Sequence, residues 1–124
     1  MNEGSETRPM ITLDVRKNRV RIHKHTLHLL GDPAYIQFLV NPQKMLIAIL
    51  GSDHPIKGGS ANRVNTQNFD AESCVECYSM MLMDKLFEIV GDFDAAYSYR
   101  LVGEANTKER IALFSLNSMQ RIDS

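Results

Sequence analysis

The sequence predicts an α+β fold, on the basis of three patterns. Within residues 10–50, two segments that alternate between apolar and polar residues are followed by two short apolar runs, and each pair is separated by a turn, which is typical of β-hairpins. From Asp70 to Val90, apolar residues recur at steps of three and four, which is typical of an amphipathic helix. After that long helix, Ala95–Val102 and Arg110–Leu116 alternate again and predict a C-terminal β-hairpin.

Length and composition allow one domain of ordinary size. The chain has 124 residues, of which 44% are hydrophobic, and this is enough to build a core. No apolar stretch reaches the roughly 18 residues that a membrane-spanning helix needs, and the N-terminus lacks the apolar core of a signal peptide. We therefore expect a cytoplasmic protein with no membrane partner. Two cysteines do not suggest a secreted fold held by disulfides.

The first 50 residues predict a hairpin, a short helix and a second hairpin. Met10–Val15 and Arg19–His23 alternate on either side of a turn. Thr26–Leu30 predicts a turn of helix that ends at Gly31, because glycine adopts a left-handed backbone without strain. The second hairpin has two apolar segments joined by turn-forming Asn and Pro, namely Tyr35–Val40 and Met45–Leu50.

Positive charge is concentrated in the first hairpin. Residues 1–50 contain seven Lys/Arg and four Asp/Glu, whereas residues 51–124 contain seven and eleven. Five of the first seven lie between Arg16 and His25, a segment without an acidic residue. Clustered cations of this kind contact nucleic-acid phosphates, but they also protect a solvated strand edge from pairing. The residues by themselves leave both interpretations open.

The order and spacing of these elements are similar to those of the AbrB-type swapped-hairpin DNA-binding domain. The similarity rests on Leu13-Asp14, the strand Asn18–Ile22, a short helix that ends at Leu30-Gly31, and the following hairpin. It covers residues 10–50. Asn18 stands where the family usually has glycine, and His23 stands where it usually has proline. The resemblance implies an obligate homodimer with interleaved hairpins and a basic surface that contacts DNA.

Three positions match the DNA-contacting positions that the resemblance implies: Arg19, Lys24 and His28. Their neighbours Arg16, Lys17 and Arg21 join the set because of their charge alone. Phosphate contacts would hold the protein on its site, with Arg19 or Arg21 available for base edges. The predicted function is therefore a small dimeric DNA-binding transcriptional regulator.

The alternative is a non-enzymatic interaction or assembly protein without a nucleic-acid role. The methionines of the predicted helix Asp70–Val90 widen its apolar stripe beyond one face. We therefore expect this helix either to be buried in the core of its own chain or to be covered by its own sheet on one side and by a partner subunit of a homodimer or higher homo-oligomer on the other. The residues predicted at this interface are Val75, Tyr78, Met81, Leu82 and Leu86.

These patterns divide the chain into four parts. Residues 1–9 are predicted to be a flexible arm, and residues 10–50 the DNA-binding unit. Residues 51–69 are predicted to be a loop that links it to residues 70–124, a dimerisation or sensing unit. Within this last unit, Ser115–Ile122 predicts a short terminal helix.

Metal binding and catalysis have less support in the sequence. Imidazole and thiolate are ligands that zinc prefers, and the candidates are His23, His25, His28, His54, Cys74 and Cys77. Nothing in the sequence brings the two cysteines near the histidines, and on a helix they would share an apolar face. No set of residues combines a nucleophile with an oriented base. We predict no metal, no cofactor and no enzymatic activity.

Overall fold

The computed structural model describes residues 8–55, 61–64, 74–91, 93–94 and 96–123. These residues form ten strands and two α-helices, together with the short 3-10 helices Val15–Lys17 and Leu116–Ser118. In chain order the strands are β1 Met10–Asp14, β2 Arg19–His23, β3 Tyr35–Asn41, β4 Leu46–Ser52, β5 Ala61–Arg63, β6 Cys74–Tyr78, β7 Tyr97–Val102, β8 Glu104–Asn106, β9 Ile111–Ser115 and β10 Gln120–Asp123. Helix α1 spans Lys24–Leu29 and helix α2 spans Met80–Val90.

The strands form two five-stranded antiparallel sheets. The first has the order β10-β7-β1-β2-β6, and the second has the order β5-β3-β4-β9-β8. The hairpins β1–β2 and β3–β4 are paired as the sequence predicts, and α1 lies between them in the chain. The α+β class is thus confirmed, with antiparallel strands as its main component.

One core is shared by both sheets, because each presents its buried residues to the same cluster. Ile11 and Leu13 enter this cluster from β1, and Ile47 and Ile49 enter it from β4. Their side chains are fully buried, as the alternation of a half-buried strand predicts. The helices contribute four more apolar side chains to this cluster, Leu27, Leu82, Met83 and Leu86, and Leu30 at the C-terminal cap of α1 contributes another.

Helix α1 is attached to β1 by one buried hydroxyl. The Thr26 Oγ1 accepts a hydrogen bond from the Met10 amide at 2.8 Å and donates one to the Met10 carbonyl at 3.1 Å. Thr26 is completely buried, and its hydroxyl satisfies its hydrogen-bonding capacity through the backbone of Met10. The helix ends where predicted, with Gly31 at φ 79° and its amide bonded to the His28 carbonyl.

The prediction of one long helix from Asp70 to Val90 is wrong at residues 74–78. Residues 74–78 form strand β6, and α2 has 11 residues. Val75 and Cys77 are buried while Glu76 and Tyr78 are exposed, which is the period of two of a strand. In a segment of five residues this pattern is also compatible with one face of a helix. Residues 70–73, where the predicted helix begins, lie outside the described residues.

Helix α2 begins at Met80 because Ser79 caps it. The Ser79 Oγ accepts a hydrogen bond from the Leu82 amide at 3.2 Å, and Ser79 donates its own amide to the Asn18 carbonyl at 3.0 Å. Serine is among the favoured N-cap residues because its oxygen satisfies an otherwise unpaired amide. The helix ends at Gly91, which has φ 77° and donates its amide to the Phe87 carbonyl.

The predicted C-terminal hairpin is also wrong in its pairing. Strand β7 pairs with β1 and β10 in the first sheet, whereas β9 pairs with β4 and β8 in the second. Gly103 carries the chain from one sheet to the other. A β-carbon at this position would overlap with the Leu113 carbonyl oxygen, so the two backbones approach this closely only because residue 103 is glycine.

Two further predictions about the second half need correction. Ser115–Ile122 does not form a terminal helix, since a single 3-10 turn is followed by β10. The division into residues 10–50 and 70–124 is not visible in the sheets either. Each sheet combines strands from both segments, and β1 and β2 take neighbours on both sides from their own chain.

Candidate functional site

A groove lies between the end of β3 and the N-terminal turn of α2. Its volume is about 490 Å³. Ser79 sets where α2 begins, and the helix geometry then directs Met81 and Lys85 along the same side of the groove, because residues four apart share a face. The full lining is Phe38, Leu39, Val40, Asn62, Tyr78, Ser79, Met80, Met81, Leu82 and Lys85.

Four large apolar side chains around this groove are exposed to solvent. Their exposed fractions are 45% for Leu39, 57% for Tyr78, 66% for Met80 and 65% for Met81. We call these four residues the apolar patch. Scattered apolar residues are ordinary on protein surfaces, but a contiguous group around a concavity is typical of a binding surface.

The groove continues along α2 toward its C-terminal half. A second cavity of about 390 Å³ shares Val40 and Lys85 with the first and extends to Met45 and Ile89. Glu88 and Pro42 also line it. Lys85 and Glu88 are the charged residues that the two cavities contain, so the groove is mostly apolar with one charge of each sign.

The residues predicted at an oligomer interface fall into two groups. Val75, Leu82 and Leu86 are buried in the core of this chain. Tyr78 and Met81 belong to the apolar patch. Leu39 and Met80 were missed by the sequence reasoning, although the continuous apolar run Phe38-Leu39-Val40 could have indicated that one residue of β3 faces away from the core.

Arg19, the central residue of the predicted DNA surface, is engaged by two carboxylates. Its Nη2 donates to Asp14 Oδ2 at 2.6 Å and its Nη1 donates to Glu76 Oε2 at 3.0 Å. Its side chain is only 16% exposed. Burial lowers the pKa of Arg19, but the hydrogen bond to Asp14 and the charge of Glu76 outweigh this effect and raise it overall. Arg19 therefore acts as a cross-strand link that joins β1, β2 and β6.

The other residues of that predicted surface have different environments. Arg16 and Lys17 are exposed in the 3-10 turn between β1 and β2, and Lys24 is exposed at the start of α1. Arg21 lies opposite Glu76 in the cross-strand register. His28 pairs with a carboxylate, since its Nδ1 lies 2.6 Å from Asp32 Oδ1. The predicted DNA surface therefore contains acidic partners from outside the cationic segment, namely Asp14, Asp32 and Glu76.

The structure brings one cysteine beside the histidines: His23 lies opposite Cys74 in the strand register, and the ring centroids of His23 and His25 are 6.0 Å apart. Cys74 and Cys77 belong to strand β6, where residues three apart point to opposite faces of the sheet. The two thiols therefore cannot bind the same metal ion. Burial raises the pKa of the Cys77 thiol to about 11, which makes it a poor nucleophile and metal ligand at neutral pH. His25 Nε2 lies 2.6 Å from the Arg8 carbonyl, and His54 is exposed. Within the described ranges, no three His, Cys, Asp or Glu residues are grouped so that they could hold a metal ion.

No family model, curated protein or solved structure matches this chain. The AbrB-type resemblance of residues 10–50 thus stays a prediction. In the part of the chain that the structure describes, no helix has both the length and the apolar character to cross a membrane.

Proposed function

We propose that this protein is a non-enzymatic protein-interaction module and that the groove beside α2 is its binding surface. The observation that carries the proposal is the apolar patch around a cavity of about 490 Å³. If a fully exposed side chain of this size has about 200 Å² of surface, the four exposed fractions correspond to roughly 450 Å² of apolar area. At about 25 cal/mol per Å², covering that area would be favourable by roughly 11 kcal/mol before the costs of association.

The composition of the patch also supports a protein partner. Tyrosine and methionine are enriched in the cores of protein interfaces, and charged residues are depleted there. Methionine side chains adapt to irregular surfaces because they are unbranched and flexible. The groove has an elongated outline along α2, which suits a segment of polypeptide.

The proposal is tested by selecting random peptides that bind the purified protein. Peptides selected on the wild-type chain should share two or three apolar anchors, and calorimetry should show that Met81→Glu weakens their binding at least about 30-fold. Leu113→Glu is the matched control, because Leu113 is a similarly exposed apolar residue, 44% exposed, that does not line the groove. Selected peptides that bind both variants equally well would contradict the proposal.

DNA binding is a second candidate, favoured by the exposed Arg16 and Lys17 at the turn of the first hairpin. With Arg19 paired to two carboxylates, few cations are left for phosphates, so we expect weak binding that is steeply salt-dependent in a dimer. Fluorescence anisotropy of a mixed-sequence duplex tests this. Binding at low salt that is lost in Arg16→Glu/Lys17→Glu would support DNA contact, and no binding at low salt would eliminate this candidate.

A further inference from the structure

We infer that the occupant of the groove is a second copy of this chain, bound through the apolar patch in a two-fold symmetric dimer. The inference rests on the proposed function and makes it more specific. Three properties of the patch support it: its area, its shape and its charge.

The area fits a dimer of ordinary size. The exposed apolar area of the patch is roughly 450 Å² on the estimate of about 200 Å² per exposed side chain. Homodimer interfaces are about 65% apolar, so this area corresponds to roughly 700 Å² of interface on each protomer. Both protomers together would bury about 1,400 Å², which lies within the range of stable, specific interfaces.

The shape of the patch satisfies the condition for two-fold association. In such an interface the same surface of both protomers is in contact, so the surface must be complementary to itself. Met80 and Met81 project into solvent, with about two thirds of each side chain exposed, and both also border the cavity. A surface that carries projections and a concavity side by side can fit a rotated copy of itself.

The charge around the patch does not oppose self-association. Lys85 and Glu88 lie along the groove with opposite signs, and the whole chain has a formal net charge of −1. A patch surrounded by charges of one sign would repel its own copy at close range. The two opposite charges along the groove therefore permit binding of a second copy. They offer little selectivity for a strongly charged partner.

Sedimentation velocity of the full chain from about 5 to 500 µM tests the inference. We expect a dimer in the wild type, and we expect Met80→Glu/Met81→Glu to raise the dimer Kd at least about 30-fold. Leu113→Glu should change the Kd less than about threefold. Because Met80 and Met81 are exposed, the double variant should keep the far-UV circular dichroism spectrum of the wild type.

A second measurement needs no variant. In a mixture of labelled and unlabelled wild-type chains, isotope-filtered spectra should show contacts between the methionine methyl groups of one protomer and Leu39 or Tyr78 of the other. A monomer at all concentrations, or a dimer that the Met80/Met81 variant leaves intact, would overturn the inference. If the wild type is monomeric but selected peptides still bind the groove, only the second-copy inference fails and the proposed function stands.

Discussion

Replacing Arg19 with methionine should destabilise the fold far more than removing an ordinary surface arginine. The change keeps a long apolar stem and deletes the guanidinium that bonds Asp14 at 2.6 Å and Glu76 at 3.0 Å. Hydrogen bonds to charged groups contribute about 1.5–3 kcal/mol each when they are buried. Because Glu76 is about one third exposed, water screens part of this, and we expect a total loss of about 2–3 kcal/mol.

The assay is urea unfolding followed by circular dichroism. With an m-value of about 2 kcal/mol per molar urea, the midpoint should fall by roughly 1–1.5 M. Arg100→Met is the matched control, since Arg100 is exposed on β7 in the same sheet, and its midpoint should shift by less than about 0.25 M. Adding Glu76→Gln to Arg19→Met should recover part of the loss, because one unpaired carboxylate is removed. A loss below about 0.5 kcal/mol in Arg19→Met would place the triad among ordinary surface pairs and refute its role as a cross-strand link.

Three other changes test individual contacts. Thr26→Val should cost about 2 kcal/mol in urea unfolding because Met10 loses both hydrogen bonds, whereas Thr26→Ser, which keeps the hydroxyl, should cost less. In the folded protein the Cys77 thiol keeps its proton up to about pH 11, whereas in the unfolded chain it ionises above its ordinary pKa of 9.0. The free energy of unfolding should therefore fall as pH rises between these two values, and Cys77→Ala should flatten that slope. Arg110 donates a hydrogen bond to Asp53 and lowers the pKa of its carboxyl below the ordinary value of 3.8. The stabilisation from this pair is present above pH 3.8, the pKa in the unfolded chain, and is lost as pH falls through the lower pKa of the folded state. Asp53→Asn should therefore flatten the acid limb of stability in urea titrations between about pH 5 and pH 2, and an unchanged acid limb would contradict the pairing.

Local residue preferences were enough to predict the two hairpins of the first half and the ends of both helices. The β1–β2 and β3–β4 hairpins depend on alternation over a few residues and on turn-forming residues between them, and both are paired as predicted. The ends of α1 and α2 at Gly31 and Gly91 follow equally from local backbone preference, since both glycines have positive φ. These features were predictable because their partners are near in sequence: the most distant pair, Tyr35 and Ser52, belongs to a single hairpin.

The arrangement of the second half and of the groove depends on contacts between segments far apart in the chain. Residues 74–78 become a strand because β2 offers them a register in which Val75 meets Ile22, and no local pattern contains that information. Glu76 reaches Arg19 across 57 residues of sequence and changes a predicted DNA contact into an internal link. The groove likewise exists only because Leu39 and Met81, from distant segments, meet beside α2. Pairing and charge compensation between residues far apart depend on the assembled sheets, and the periodicity of a single segment cannot specify them.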